Sequence, residues 1–369
     1  METIQRYQEL LGFKRLSPVQ QQVIPKMLKK EDVIVSAPTG TGKSHAFIFP
    51  LCAQLNPSSG TVQATLIAPT ALLAEQLYEM VTTLVDAAQL KLRVLLFTGG
   101  KDKQRELKKC ASAQPHIAIG TPGRLHDLAL KENALKLHTT RHLVIDEADM
   151  TLDAGFLPTV DALARIMPQG LHMAVFSATI PQALEPFLKK YMNQPKRYDL
   201  THEVLKQLNI THQFIYADPN RKVERVMHFL KDFNPYLAML FVSHKKDAQI
   251  LFQTLTQAGY DCTILSGESS TRERKQLRRD LESLRVQYVI ATDVAARGFD
   301  VAHVSHILNY DLPHNMTFYL HRIGRTGRMG QHGEAITFYS ESDLPLLRKL
   351  TPYGIDIDHL MKKHKKKRG

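Results

Sequence analysis

Asp32-Val33-Ile34-Val35-Ser36-Ala37-Pro38-Thr39-Gly40-Thr41-Gly42-Lys43-Ser44 is an apolar run that breaks into a glycine-containing turn. Asp32–Ser36 is nearly continuous in apolar, β-branched residues, which predicts a strand covered on both faces. A helical pattern follows through Gln54. Strand, glycine turn and helix, closed by Gly-Lys-Ser, form a phosphate loop, with Ala37 where the general pattern has its first glycine. Gly40 and Gly42 permit backbone angles that turn successive N–H groups of the loop, Thr39 and Thr41 included, around phosphate oxygens. The helix N-terminus adds partial positive charge. Lys43 would reach the β- and γ-phosphates of ATP, and the Ser44 hydroxyl would bind Mg²⁺.

Working outward, the same rhythm of short apolar runs and helical patterns fills the chain and predicts parallel α/β sheets. Strands are expected at Asp32–Ser36, Thr65–Ala68, Arg93–Phe97, His116–Ile119, His142–Ile145 and Met173–Phe176. The pattern restarts with Leu237–Val242, Cys262–Leu265, Tyr288–Ala291, His306–Asn309 and Ala335–Phe338, with helices such as Lys245–Ala258 and Thr271–Ser283 between. No strand falls clearly between Asp199 and Ile210, so a linker is expected at 201–210. It would separate a first domain, 1–200, from a second, 211–355, with a basic tail at 356–369.

Ligands in open α/β sheets bind beyond the carboxyl ends of the strands. Val144-Ile145-Asp146-Glu147 puts two carboxylates there. Asp146 suits Mg²⁺, which on phosphates usually takes one or two carboxylates. Glu147 suits orienting or deprotonating a water. An acidic pair after a strand is also a common cap or surface feature; the phosphate loop in the same half favours the catalytic reading.

Asp146-Glu147-Ala148-Asp149 is the literal string that names the DEAD-box RNA helicases, and the chain resembles that family from about Gly12 to Leu350. Phe176-Ser177-Ala178-Thr179 looks like its Ser-Ala-Thr motif, which implies that Ser177 and Thr179 couple the nucleotide site to RNA separation. Gly12-Phe13 through Ser17-Pro18-Val19-Gln20 resembles its adenine-reading segment. A glutamine amide can pair with N6 and N7 of adenine, so Phe13 and Gln20 are expected at the base. Relatives carry a further aromatic upstream, for which Tyr7 is a stand-in.

His321-Arg322-Ile323-Gly324-Arg325-Thr326-Gly327-Arg328 matches the family's last motif. The resemblance implies Arg325 and Arg328 as arginine fingers, with His321 and Arg322 coupling the two halves. Thr292-Asp293 through Arg297-Gly298-Phe299-Asp300 resembles its fifth motif, which implies Thr292 at RNA phosphates and Asp300 at the ATP ribose.

RNA grip in this family is mostly to sugar and phosphate. The matching segments imply contacts from Pro69, Thr70, Gly99, Gly100, Thr121, Pro122, Gly123, Arg124, Gly267 and Arg274. Ala71-Leu72 replaces the Arg-Glu usual after Pro-Thr, Ser266 replaces a histidine and Thr271 a glutamine. The lost guanidinium predicts weaker or altered RNA affinity, not a dead enzyme.

Composition agrees. The 369 residues are 43% hydrophobic and 23% charged, as in soluble globular proteins, and no apolar run is long enough to span a bilayer. The net charge is +12, and six tail cations, Lys362, Lys363, Lys365, Lys366, Lys367 and Arg368, supply half of it. A polyanion partner is expected; a solvated tail is the plainer reading. Cys52, Cys110 and Cys262 share no metal-ligand spacing, which fits a reducing cytoplasm. The resemblance implies two tandem RecA-like domains in a bacterial, monomeric, RNA-stimulated ATPase that closes around ATP and RNA, has no membrane partner and serves ribosome assembly or RNA decay. Two alternatives stay open: an ATP-dependent RNA clamp that rarely unwinds, and a DNA-directed translocase.

Overall fold

The computed structural model describes residues 1–38, 40–201, 209–266, 269, 271–296, 299, 304–313, 316–327 and 331–357. The chain divides into two compact units. The first comprises Met1–Ala37 and Thr41–Leu200, and the second starts its main body at Thr201.

The first unit is built on seven parallel strands: β1 Val33–Ser36, β2 Ala64–Ile67, β3 Val94–Phe97, β4 Ile117–Gly120, β5 His142–Ile145, β6 His172–Ser177 and β7 Lys196–Asp199. Their order across the sheet is β3-β4-β2-β5-β6-β1-β7. Every residue of β2, β4 and β5 is buried. Successive strand side chains point to opposite faces, so both faces of this sheet are covered. Its helices include α1 Glu2–Leu10, α2 Pro18–Leu28, α3 Lys43–Gln54, α4 Ala71–Ala87, α5 Lys103–Ser112, α6 Pro122–His126 and α7 Ala148–Asp153. One core gathers Ile34, Ile67, Phe97, Leu143 and Val175. Full burial of each such side chain contributes about 1.5–3 kcal/mol.

The second unit has six parallel strands: β8 Ile210–Tyr216, β9 Ala238–Phe241, β10 Cys262–Leu265, β11 Tyr288–Ala291, β12 His306–Asn309 and β13 Gly333–Tyr339. Their order is β10-β11-β9-β12-β13-β8. Leu240, Leu251, Ile290, Leu308 and Phe338 share its main core.

Two strands were not expected from sequence, β7 and β8, and both lie at a sheet edge. Edge strands need only one partner and tolerate exposure. Lys196-Arg197-Tyr198-Asp199 accordingly has no buried residue and pairs only with β1, which a search for apolar runs overlooks. β8 alternates exposed residues with half-buried ones and the buried Ile215 beside β13, and begins at Ile210, inside the expected linker. Most of that linker, 202–208, and the basic residues of the tail lie outside the described residues. Among the described residues, no helix is long and apolar enough to cross a membrane. Cys52 and Cys110 are buried free thiols, and burial pushes Cys52 up to about 12.

Candidate functional site

Strand register brings three motifs of the first unit to one sheet edge. Ser36 at the end of β1 stands beside Ser177 at the end of β6, and β6 also pairs with β5, whose next residue is Asp146. The phosphate loop, the Asp-Glu-Ala-Asp string and the Ser-Ala-Thr segment are neighbours because their strands are.

Lys43 opens α3 and is buried. Its ammonium donates to the Ala37 carbonyl at 2.9 Å and lies 3.3 Å from Glu147 Oε1. Gly42 precedes it at φ 88°, which favours glycine, and a Cβ there would lie 2.6 Å from Gln20 Nε2 and push that amide aside. Ser44 is half-buried in the first turn of α3.

Glu147 holds φ 49°, the left-handed region that few non-glycine residues adopt. Backbone strain of this kind clusters at functional sites. One carboxylate oxygen faces Lys43, while Oε2 is buried with no hydrogen-bond partner among the described residues. Asp146 Oδ1 accepts the Glu147 N–H at 3.1 Å. Burial, then the charge of Glu147, push the Asp146 carboxyl up to about 7 against the pull of Lys43. Two buried carboxylates beside one ammonium leave the pocket short of positive charge. Together with the Ser44 hydroxyl, this donor set fits Mg²⁺, a hard cation that takes oxygen ligands.

Asp149 joins the string to the Ser-Ala-Thr segment. Its N–H donates to Ser177 Oγ at 3.0 Å, and its Oδ2 accepts from Thr179 N–H at 3.3 Å and Thr179 Oγ1 at 3.5 Å. The sequence reading named Ser177 and Thr179 but gave Asp149 no role; its position in the string was the available signal.

Gln20 is turned toward the phosphate loop. Its Nε2 donates to the Gly42 carbonyl at 3.1 Å, and its Oε1 accepts the Ser17 N–H at 2.9 Å within a capping box. An amide has two donor hydrogens and two acceptor lone pairs, so one of each is left for a base. Phe13 packs edge-on against His45 at 4.9 Å, and both residues are half-buried. Tyr7 is 3% exposed and packs against Phe49, so it offers no face to a base.

At the other motifs of the first unit, Thr70 caps α4 by accepting the Leu73 N–H at 3.3 Å, and Pro69 leads into it. Gly99 and Gly100 follow β3, with Gly100 at φ 79°. Thr121 precedes α6, which Pro122 and Gly123 begin, and its side chain makes no cap hydrogen bond. Arg124 is not free: Nη1 donates to Glu106 Oε2 at 2.7 Å and Nη2 to the Lys101 carbonyl at 3.1 Å. Burial raises the Glu106 carboxyl, and Arg124 opposes it. Glu106 was not singled out in the sequence, since nothing in the helix spacing pairs it with Arg124.

In the second unit, Arg322 is 1% exposed at the end of the Met316–Ile323 helix. Its Nε and Nη2 donate to the two Asp293 oxygens at 2.6 and 2.8 Å, and Nη1 donates to Asn309 Oδ1 at 3.1 Å. Asp293, also missed in sequence, thus binds the last motif to the fifth. Arg325 is buried, with Nη1 donating to the Phe299 carbonyl at 3.3 Å. Arg322, Arg325 and His321 line one hollow with Phe241, Asp293, Ala296 and Phe318. Thr292 Oγ1 accepts the Ala295 N–H at 3.3 Å, capping the short helix that follows β11. Arg274 donates to the carbonyls of Ser266, Ser269 and Ala295 at 3.0, 3.3 and 3.1 Å. Thr39, Gly267, Asp300 and Arg328 lie outside the described residues.

Comparison with known proteins gives this geometry its context. The DEAD/DEAH box helicase family matches residues 17–187, and the helicase conserved C-terminal domain matches residues 221–330. The DEAD-box ATP-dependent RNA helicase CshB of Listeria monocytogenes is 42% identical over 355 residues, covering 96% of this chain and 81% of that one. The CshB of Bacillus subtilis is 42% identical over 351 residues, covering 95% and 80%. Among solved structures, S. cerevisiae Dbp5 bound to RNA and ADP BeF3 superposes with a TM-score of 0.82 at 27% identity, covering 99% of this chain and 97% of that one. The two parallel sheets are therefore RecA-like domains. The chain belongs to the DEAD-box family of ATP-dependent RNA helicases, in its bacterial branch.

Proposed function

We propose that the chain hydrolyses ATP in response to RNA and uses the nucleotide cycle to separate short RNA duplexes. The observation that carries this is the buried contact of Lys43 with Glu147 across the end of β6, the strand between β1 and β5. An ammonium held by a carboxylate and a carbonyl is poised to exchange both for phosphate oxygens. When the β- and γ-phosphates take Lys43, Glu147 is released to orient the attacking water and accept its proton.

Around that exchange, the N–H groups of Thr39, Gly40, Thr41 and Gly42 would cradle the phosphates. Phe13 and Gln20 would hold adenine, with Gln20 reporting base binding to Gly42 through its hydrogen bond. Ser44 and Asp146 would hold Mg²⁺, which supplies neutralisation of phosphate charge. Arg325 and Arg328 would stabilise charge on the γ-phosphate, and Asp300 would bind the ribose, when the two units close. The family membership supports this closure. Asp149, Ser177, Thr179, His321 and Arg322 would pass the state of the nucleotide to the RNA.

RNA would be held through sugar and phosphate by Pro69, Thr70, Gly99, Gly100, Thr121, Pro122, Gly123, Gly267 and Thr292. Arg124 and Arg274, already committed to protein partners, would act by fixing loop shape. We assign the cycle to a monomer in the cytoplasm, acting on structured RNA such as ribosome assembly and RNA decay produce. The test is duplex release measured beside ATP turnover, using a short RNA duplex and its DNA counterpart. The proposal expects ATP-dependent release of RNA alone. Turnover without release would mark a clamp, and equal action on DNA would mark a DNA translocase.

A further inference from the structure

We propose that Lys101 is the cation with which the first unit grips an RNA phosphate, replacing the guanidinium absent at Ala71. The inference rests on the reading of the chain as an RNA-dependent ATPase and names the group that carries its first-unit charge.

An RNA backbone needs a cation or free N–H groups opposite its phosphates. At the edge formed by Thr70, Gly99-Gly100 and Thr121–Arg124, the obvious cation is unavailable. Arg124 is 13% exposed in its side chain and faces a buried carboxylate, Glu106, at 2.7 Å. Removing a guanidinium from such a partner leaves a desolvated charge behind, so the pair resists exchange. Lys103 is held by two carboxylates, Asp127 at 2.8 Å and Glu132 at 2.5 Å.

Lys101 differs from both. It directly follows Gly100, and its backbone carbonyl accepts from Arg124 Nη2, which anchors the residue to the third segment. Its side chain reaches α4, where Nζ lies 3.1 Å from Glu75 Oε1. Glu75 sits in the second turn of α4, close behind the Thr70 cap and Ala71. One lysine thus connects all three segments. Its side chain is 44% exposed and that of Glu75 16%, so this ion pair is more open to solvent than Arg124–Glu106, at 13% and 7%, and is screened more strongly. A phosphate can therefore take the ammonium from Glu75 more readily than it could take the Arg124 guanidinium from Glu106. In this account Glu75 parks the charge near the start of α4 until RNA arrives.

A labelled oligouridylate and a labelled mixed-sequence oligoribonucleotide, each bound to the full chain with a non-hydrolysable ATP analogue over a series of KCl concentrations, test the assignment. Lys101→Ala should weaken both equally, several-fold, and flatten the slope of log K against log salt by about 0.7, the value of one single-strand phosphate contact. Ala71→Arg added to Lys101→Ala should restore the slope. Glu75→Gln separates a phosphate contact from a mere brace. If Lys101 touches RNA, that variant binds as tightly as the parent or tighter; if the ion pair only steadies α4, it weakens binding as Lys101→Ala does, and the inference fails. Unchanged affinity and slope in Lys101→Ala also overturn it. A parent protein that binds no RNA at any salt would remove the underlying reading along with the inference, whereas a parent that binds normally isolates the failure to Lys101.

Discussion

Lys43 Nζ stands 3.3 Å from Glu147 Oε1 although the two residues are carried by different loops, one after β1 and one after β5. Both are buried, and the second oxygen of Glu147 has no hydrogen bond among the described residues. The contact joins the group that would bind phosphate to the group that would activate water, so in the proposed cycle occupancy by nucleotide would control the base.

That coupling gives two separable variants. Lys43→Ala should abolish RNA-stimulated phosphate release, because the terminal phosphates lose their ammonium. Glu147→Gln should keep nucleotide binding and slow hydrolysis by about 10²–10⁴-fold, the usual contribution of a positioned base. Phosphate release and fluorescent-nucleotide binding, measured side by side, check both. Normal turnover in either variant refutes the assigned roles.

Asp149 links the string to Ser177 and Thr179 through three hydrogen bonds. Ser177→Ala combined with Thr179→Ala removes the two hydroxyls while leaving Lys43 and Glu147 in place. RNA strand separation should fall about tenfold, a coupling loss of roughly 1.4 kcal/mol, with ATP turnover much less affected. Parallel loss of both activities would show that these hydroxyls serve hydrolysis instead.

Arg322 anchors the second unit. Its guanidinium grips both oxygens of Asp293 and also Asn309, and lies 5.0 Å from the Phe241 ring centroid. Arg322→Ala should destabilise this unit by about 3–5 kcal/mol, since it strands a carboxylate in a largely desolvated place. Arg322→Lys should recover only part, because an ammonium cannot reproduce the two-pronged pairing. Thermal melts of the three proteins measure the difference.

Acid should weaken the first unit through His142. It packs against His172 at 5.4 Å and also faces Lys30 and Arg141. Burial, then those charges, lower it to about 4 from an ordinary 6.5. The unfolded chain therefore takes up its proton at higher pH than the folded one. The stability associated with neutral His142 is full above 6.5 and is lost as pH falls toward 4. His45 in the same unit and His212 in the second unit, each lowered to about 4 by burial, act in the same direction on their own units. Each group adds a slope of at most about 1.4 kcal/mol per pH unit. Melting temperature should fall from pH 7 to pH 5, and His142→Gln should flatten that fall.

The sequence made the sheets legible where burial on both faces writes a continuous apolar run. His142–Ile145, Tyr288–Ala291 and His306–Asn309, all interior strands, have the bounds expected from sequence, as does Cys262–Leu265, an edge strand whose residues are nonetheless mostly apolar. Lys196–Asp199 was not expected, because an edge strand has no need of such a run. The motifs named the chemistry at the ends of the strands but not the partners of long side chains. Arg274 finds its three carbonyls at residues 266, 269 and 295, and Arg124 finds Glu106 on another helix; neither pairing follows any local period. Gln20 stands out in the sequence by its motif, whereas its hydrogen bond to Gly42 depends on how α2 packs against α3.

Steady-state phosphate release with no nucleic acid, with polyuridylate and with polythymidylate, for the parent and for Arg325→Ala, tests the central claim most directly. The account predicts saturable stimulation by polyuridylate alone, and a loss of about 10³–10⁵-fold in that stimulated rate when the arginine is removed. Equal turnover under all three conditions, or a stimulated rate indifferent to Arg325, would contradict it.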